Sequence, residues 1–344
     1  MAPDGRGRLE TMHPAIFALV MATGIVSIAC HLLVSPAAAR ALFAANVLFY
    51  AALWVFTAAR VVRFPSAVKA DLFHHGRAVG FFTIVAATCV LGSQALVIGD
   101  AWRAAAALWT AGIALWAALT YTIFTALTIA PQKPPLAEGL NGGWLVAVVA
   151  AQSVAVLGAQ LAPGFGPDAA GVLLFCLAMW LGAGMLYIWI ISLIFYRYTF
   201  FVMSPSDLAP PYWINMGAVA ISTLAGAALA AAAPESALLR ELLPFVKGLT
   251  LLFWATATWW IPMLLILGVW RHGYRRFPLR YDPLYWGAVF PLGMYTVCTL
   301  RLAQVLDLPV LLAIPRLFVW IALGAWALAM IGLADDLWKG VRPR

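Results

Sequence analysis

The chain has 344 residues, of which 65% are hydrophobic and only 10% are charged. Soluble domains are about 45–50% apolar and about 25% charged, so this composition excludes an ordinary soluble domain and indicates an integral membrane protein embedded in a lipid bilayer. The net charge of +8 does not indicate nucleic-acid binding, because the basic residues are distributed as expected for a membrane orientation signal.

Apolar runs of 18 or more residues predict membrane-spanning helices, and ten such runs follow one another along the chain. None shows the alternation of a transmembrane β-strand, so we predict an all-α integral membrane fold. The whole chain, 1–344, forms one transmembrane domain. The predicted spans are about 13–33, 38–59, 79–98, 101–130, 143–161, 168–196, 212–232, 237–270, 285–306 and 311–334.

The N-terminus is basic and precedes an apolar stretch, which is also typical of a signal peptide. The stretch is long, and no small-residue cleavage site followed by a polar mature domain is present. We therefore interpret it as a retained first span.

Basic residues are unequally divided between the two sides of the predicted bundle. Fifteen lie on the side that contains both termini and every second loop, and three, Arg40, Arg103 and Arg240, lie in the opposite loops. Basic loops stay in the cytoplasm, so this division predicts cytoplasmic termini in a multi-pass protein of the cell (inner) membrane.

The residues with metal-binding or catalytic chemistry form no recognisable constellation. The four cysteines lie within predicted spans and have no C-x-x-C spacing, and His74 and His75 lack further ligands at useful spacing. The chain has no H-E-x-x-H, G-x-S-x-G or Walker A motif. We expect no metal, no cofactor and no enzymatic activity, and a membrane enzyme or assembly scaffold is the least supported reading.

Three odd-numbered spans begin alike, with "NGGWLVAVVAAQS", "PPYWINMGAVAIST" and "DPLYWGAVFPLGMYT". Their tryptophans, Trp144, Trp213 and Trp286, are 69 and 73 residues apart, and Arg77 and His13 continue this period towards the N-terminus. The pattern predicts five quasi-repeated helical hairpins, an arrangement related to the internal repeats of transporters.

Small polar residues recur at similar depth in the odd-numbered spans, and the longer even-numbered spans contain most of the tryptophans. This contrast predicts five inner helices around a central pore and five outer helices as its wall. The alternative is that small residues only allow helices to approach closely. The predicted pore-lining residues are Thr23, Ser27, Thr88, Ser153, Ser222, Thr223 and Thr296.

The charged residues within the predicted spans favour an anion. No acidic residue lies near the centre of a span, whereas Lys247, Arg301 and Arg316 enter the outer halves of the last three spans. Basic groups along a pore select anions, although long basic side chains also snorkel to the membrane surface. Arg301 follows Phe290 by eleven residues, which places both within about 20° on one helix face.

The stretches "HPAIFALVMATGIVSIA" (13–29), "PPYWINMGAVAISTLAG" (210–226) and "YWGAVFPLGMYTVCTLRLA" (285–303) resemble the tellurite-resistance/dicarboxylate transporter family. That family includes bacterial TehA, yeast malate and sulfite permeases and plant slow anion channels. The resemblance implies ten helices in five hairpins, an anion pore lined by the odd-numbered helices and often a homotrimer. It also implies that Phe290 occludes the pore and that Arg301 occupies a basic position of the family.

On this interpretation Pro291, Gly293 and Gly24 bend the inner helices, Phe290 is the pore gate, and Arg301 attracts anions above it. We predict transport of a small inorganic anion or a C4-dicarboxylate through the central pore. The alternatives are a proton-coupled malate-type carrier and a tellurite or sulfite efflux permease.

Overall fold

The computed structural model describes residues 7–341. Arg6, Arg342 and Arg344, which contribute to the predicted membrane orientation, lie outside this part of the chain. The described residues are overwhelmingly helical and include no strand, which confirms the all-α prediction.

Ten α-helices of at least 16 residues succeed one another over residues 7–341. They are α1 (Ala18–Leu33), α2 (Pro36–Arg63), α3 (Phe82–Val97), α4 (Trp102–Ile129), α5 (Val146–Leu161), α6 (Ala169–Phe200), α7 (Ile214–Ala231), α8 (Leu243–Val269), α9 (Trp286–Leu306) and α10 (Ala313–Val341). The connections contain the short helices Pro65–Leu72, His75–Ala78, Leu136–Gly139 and Ala237–Glu241.

Nine helical segments of the described chain have the length and composition needed to cross a membrane. One of them, Gly142–Phe200, has 59 residues and contains both α5 and α6. A turn at Gly166, with φ of 55°, separates the two helices. That each of the ten helices crosses the membrane separately therefore stays a prediction.

Two predicted spans differ from the observed helices at their ends. The span predicted at 237–270 begins with a separate short helix, Ala237–Glu241, and α8 itself starts at Leu243 with Pro244 in its first turn. Proline is favoured there because the first-turn N–H groups have no helical acceptor. The last predicted span, 311–334, continues to Val341 because the exposed pair Asp335 and Lys339 extends α10 beyond the apolar run.

The odd-numbered helices form a closed ring. α1 contacts α3, α3 contacts α5, α5 contacts α7, α7 contacts α9, and α9 contacts α1 again. Each even-numbered helix packs outside its preceding odd-numbered partner. In the segments that contain α1, α3, α7 and α9, an 18-residue apolar stretch is 72–94% buried. The corresponding stretches of α2, α4, α8 and α10 are only 17–22% buried. The described helices therefore divide, as predicted, into a buried inner ring and a more exposed outer wall.

One aromatic residue of each outer helix forms a hydrogen bond with the next inner helix of the ring. The pairs are Tyr50 Oη with Thr88 Oγ1 (2.8 Å), Trp109 Nε1 with Val154 O (3.0 Å), Trp180 Nε1 with Ser222 O (2.8 Å), Trp254 Nε1 with Thr299 Oγ1 (3.0 Å) and Trp326 Nε1 with Thr23 Oγ1 (3.0 Å). An aromatic N–H or O–H placed against an apolar wall needs such a partner. The last pair joins α10 to α1, so the hairpin repeat closes on itself.

Gly24 and Gly293 are positions of close helix packing, and the kinks predicted there and at Pro291 stay a prediction. Both glycines lie inside continuous α-helices, as does Pro291. A Cβ on Gly24 would lie 2.4 Å from Val90 Cγ1, and one on Gly293 would lie 2.8 Å from Ile25 Cγ2. The missing side chains therefore let α1 approach α3 and α9 approach α1, as small residues do in membrane bundles.

Candidate functional site

The N-terminal ends of the five inner helices meet around a cavity of about 240 Å³, which we call the N-end cavity. Each inner helix begins with a short helical turn of the 3₁₀ type, and these five turns contact one another in ring order. The helix residues that line the cavity include Ala18 of α1, Thr83 of α3, Val146 of α5, Ile214 of α7 and Gly287 of α9.

Arg197, near the end of outer helix α6, reaches into the N-end cavity. It is only 6% exposed, and it donates hydrogen bonds to Leu140 O (2.9 Å) and to Tyr212 Oη. Its Nη2 atom lies 3.6 Å from Asp207 Oδ1, while its buried Nε atom has no hydrogen-bond partner among the described residues. The positive dipole ends of the inner helices point to the same region. Arg197 and the helix ends therefore supply positive potential here, beside two acidic lining residues, Asp207 and Glu138.

Asp207 partly balances the charge of Arg197 at the rim of the N-end cavity. Burial raises the pKa of this carboxyl group, but hydrogen bonds from Ser204 and the neighbouring Arg197 charge outweigh that effect and hold the pKa below its usual value. Asp207 is therefore ionised near neutral pH. The sequence did not predict this pair, because the contact between Arg197 and Asp207 depends on the tertiary fold.

A second cavity, the central cleft, lies further along the axis and has a volume of only about 20 Å³. Its lining includes one residue seven positions after each residue named for the N-end cavity. These residues are Ile25, Val90, Ser153, Ile221 and Met294. Seven residues turn a helix by about 700°, or almost two full turns, so both cavities are lined by the same five helix faces.

The layer of the helix ring between the N-end cavity and the central cleft is closed. Residues 19–24, 84–88, 147–152, 215–220 and 288–293 line neither cavity. Phe290 belongs to this layer, three residues after Gly287 and four before Met294, and it is only 1% exposed. The equivalent positions of the other inner helices are Met21, Ala86, Val149 and Gly217. Phe290 is therefore the one aromatic residue among these five aligned positions.

A third cavity of about 360 Å³ lies at the C-terminal ends of α7 and α9 and the start of α8, and we call it the C-end cavity. Its only polar lining residues are Lys247, Arg301 and Gln304. Arg301 follows Met294 by seven residues and donates a hydrogen bond to Gln304 Oε1 (3.0 Å). Leu224 lines both this cavity and the central cleft.

Within the described chain, neither Lys247 nor Arg301 forms an ion pair, and no acidic residue lines the C-end cavity. Arg316, the third basic residue predicted within a span, is exposed on α10. Arg301 and Lys247 therefore line one cavity, which the sequence did not reveal, and the predicted role of Arg301 in attracting anions stays a prediction.

Ser153 is the one predicted pore-lining residue that the structure places in the central cleft. Thr23 and Thr88 bond with Trp326 and Tyr50 of the outer helices, and Ser27 Oγ donates to Ala39 O of α2 (2.8 Å). These hydroxyl groups face the wall, because that is where their hydrogen-bond partners lie.

The other three predicted hydroxyl groups bond within their own helices. Ser222, Thr223 and Thr296 each donate to the carbonyl group four residues earlier, and they line none of the three cavities. Such bonds satisfy a hydroxyl group inside an apolar bundle. The polar pair that does line the central cleft is Ser93 and Gln160, whose Oγ and Oε1 atoms are 2.9 Å apart.

No group of three or more His, Cys, Asp or Glu residues that could hold a metal ion occurs in the part of the chain that the structure describes. Cys30, Cys89, Cys176 and Cys298 are buried free thiols.

A ring of buried inner helices with cavities along its axis, surrounded by apolar helices, defines a membrane channel or transporter. The chain belongs to the SLAC1 family of voltage-dependent anion channels, whose sequence profile matches residues 11–334. The family resemblance predicted from the three sequence stretches is thereby confirmed.

The chain is also similar to proteins described as transporters or membrane proteins. An uncharacterized transporter of Methanocaldococcus jannaschii is 23% identical over 341 residues, which are 96% of this chain and 95% of the relative. A second one from the same organism is 21% identical over 339 residues, or 96% of each chain. An uncharacterized membrane protein of Mycobacterium tuberculosis is 39% identical over 154 residues, which are 44% of this chain and 77% of the relative.

Proposed function

We propose that small anions cross the membrane along the axis of the inner helix ring, and that Phe290 closes this path in the described conformation. The observation that supports the proposal is the shared lining of two cavities. The same five helix faces line the N-end cavity and the central cleft, and a single closed layer containing Phe290 lies between them. A bulky apolar residue in such a layer excludes water and ions.

The charges near the axis favour an anion over a cation. Lys247 and Arg301 line the C-end cavity without an acidic neighbour in its lining, and no Asp or Glu lines the central cleft. At the other end, Arg197 and the N-terminal ends of five helices contribute positive potential, although Asp207 and Glu138 also line the N-end cavity. A cation path through a membrane usually contains carboxylates instead.

The transported species and the mode of transport belong to this proposal. Inorganic anions, C4-dicarboxylates and the oxyanions tellurite and sulfite all have the charge that the path favours. Two relatives are described as transporters, so a coupled carrier in which a proton travels with a monoanionic substrate is the second candidate. We place the protein in the cell membrane with cytoplasmic termini, with a homotrimer as the expected assembly.

Replacing Phe290 by alanine tests the gate. The change should raise anion conductance strongly, because it removes the one aromatic ring among the described residues of the closed layer and opens a space that water can enter. Purified wild-type and variant protein are reconstituted into planar bilayers, and current is measured in symmetrical chloride or nitrate.

The matched control is Phe253→Ala. Phe253 is also buried, but it packs in the outer wall, where its ring centroid lies 5.8 Å from that of Trp180. Both changes should cost roughly 3–5 kcal/mol of packing, and only Phe290→Ala should conduct more. If neither variant exceeds the wild-type current while both remain folded, Phe290 is a packing residue and the proposed gate is wrong.

A further inference from the structure

Two adjoining cavities form a groove on the outer surface, away from the axis. The larger has a volume of about 500 Å³ and lies between α9 and α10, and the smaller has about 250 Å³ and lies between α7, α8 and α9. They share four lining residues, Trp213, Leu279, Tyr285 and Ala288, and we call the pair the lateral groove.

The wall of the lateral groove is apolar and faces the region occupied by lipid chains. Ala325 and Ala329 form part of its floor on α10. Leu328 and Ile331, which line the same cavity, are 72% and 65% exposed. A membrane protein surface of this kind is in contact with acyl chains rather than water.

One end of the lateral groove is strongly basic. The loop over residues 270–282 contains Arg271, Arg275, Arg276 and Arg280 and a single acidic residue, Asp282. Arg271 lines the smaller cavity and Arg280 lines the larger one. Among the described residues none of the four arginines has an ion-pair partner.

Arg271 is held in place although part of its guanidinium group is unsatisfied. Its Cζ lies 4.4 Å from the centroid of the Phe277 ring, and Phe277 N donates to Arg271 O (3.0 Å). A π-type turn, Trp270–Tyr274, closes the same loop. Arg271 Nε is nevertheless buried without a hydrogen-bond partner in the described chain. A buried donor left unpaired is costly, so an anionic group at this position would stabilise it.

We propose that the lateral groove binds an anionic glycerophospholipid, with an acyl chain along α9 and α10 and the phosphate at Arg271 and Arg280. At this site an apolar cavity adjoins guanidinium groups that have no ion-pair partner among the described residues. The cavity suits the acyl chain of such a lipid, and the guanidinium groups suit its phosphate. The positive-inside pattern assigns this loop to the cytoplasmic leaflet, where basic pockets between helices bind anionic headgroups.

The test compares phosphatidylglycerol with phosphatidylcholine as probes. Delipidated full-length protein in detergent is titrated with each lipid, and binding is followed by native mass spectrometry. The wild type should bind phosphatidylglycerol more tightly. Replacing Arg271 and Arg280 together by glutamine should weaken phosphatidylglycerol binding roughly thirtyfold, at about 1 kcal/mol for each basic residue. Phosphatidylcholine binding should change little.

The charge-matched control replaces Arg103 and Arg240 by glutamine, because both are exposed at the opposite end of the bundle, in the first turn of α4 and in the short helix Ala237–Glu241. It should leave both lipid affinities unchanged. Ala325→Phe fills the apolar part of the groove and should weaken both lipids. Equal affinity of the wild type for the two lipids, an equal loss in the control, or unchanged binding in Ala325→Phe would overturn the proposal. So would native spectra in which a second copy of the chain displaces bound lipid.

Discussion

Replacing Asp71 by asparagine should destabilise the protein by removing the centre of a buried charge cluster. Asp71 is 6% exposed and accepts hydrogen bonds from Arg60 (2.7 Å) and Arg77 (2.5 Å). The same two arginines donate to the backbone carbonyl groups of Glu10 and Met12. The cluster therefore ties α2 and the short helix Pro65–Leu72 to the segment that leads into α1 and the N-end cavity.

The expected magnitude follows from the burial of this cluster. Removing one partner of a buried ion pair leaves the other charge uncompensated and costs about 3–5 kcal/mol. For a chain of 344 residues that loss should lower the Tm by roughly 4–7 °C. The matched control is Asp335→Asn, since Asp335 pairs with Lys339 at side-chain exposures of 55% and 71%. An exposed pair of this spacing contributes only about 0.3–0.5 kcal/mol.

The pH dependence gives the second part of this prediction. Burial raises the pKa of Asp71, but hydrogen bonds from Arg77 and Arg60 outweigh it and lower the pKa below its ordinary value. The ionised carboxylate therefore stabilises the fold above the unfolded pKa of about 3.9, and this contribution is lost as the pH falls through the lower folded pKa. The difference between wild type and Asp71→Asn should stay constant between about pH 5 and pH 8.

Thermal unfolding in detergent, followed by tryptophan fluorescence, measures these differences directly. The reasoning would be refuted if Asp71→Asn and Asp335→Asn lowered the Tm equally. A difference from the wild type that disappeared between pH 8 and pH 5 would also contradict it, because the carboxylate is expected to remain ionised throughout that range.

Three further predictions concern the path and its surroundings. Replacing Lys247 and Arg301 together by glutamine should reduce anion flux more in low salt than in high salt, because salt screens charges near a pore mouth. An equal fractional loss of flux, relative to the wild type, at both salt concentrations would argue against their role. Gly217→Ala should lower the Tm, since its Cβ would lie 2.6 Å from Pro291 Cγ, whereas Gly182→Ala, with no atom within 4 Å, should not. A reporter fused to the C-terminus should be active in the cytoplasm, and activity on the outer side would contradict the predicted orientation.

The helix ring could be predicted from sequence because its causes are local and periodic. Long apolar runs identify the helices, and Trp144, Trp213 and Trp286 mark the repeat. Small residues in the odd-numbered helices correctly indicated the inner ring. The close packing that Gly24 and Gly293 permit could not be predicted, because it depends on contacts with Val90 and Ile25 of neighbouring helices.

The direction of each polar side chain was less predictable, because inner helices are buried on almost every face. Thr23 and Ser153 are both small hydroxyl residues inside apolar helices, yet one bonds to an outer helix and the other lines the central cleft. Only the seven-residue spacing between cavity-lining positions distinguishes the helix face that lines the cavities from the face that contacts the outer helices. The burial of Arg197 and Asp71 also depends on distant contacts that no local pattern records.

The central claim is that the inner ring encloses an anion path closed at Phe290. The reversal potential of Phe290→Ala current under a potassium chloride gradient tests it most directly, because a single voltage reports both that the path is open and which ion uses it. The account predicts a robust current that reverses near the chloride equilibrium potential. Reversal near the potassium equilibrium potential, or no current from folded protein, would contradict it.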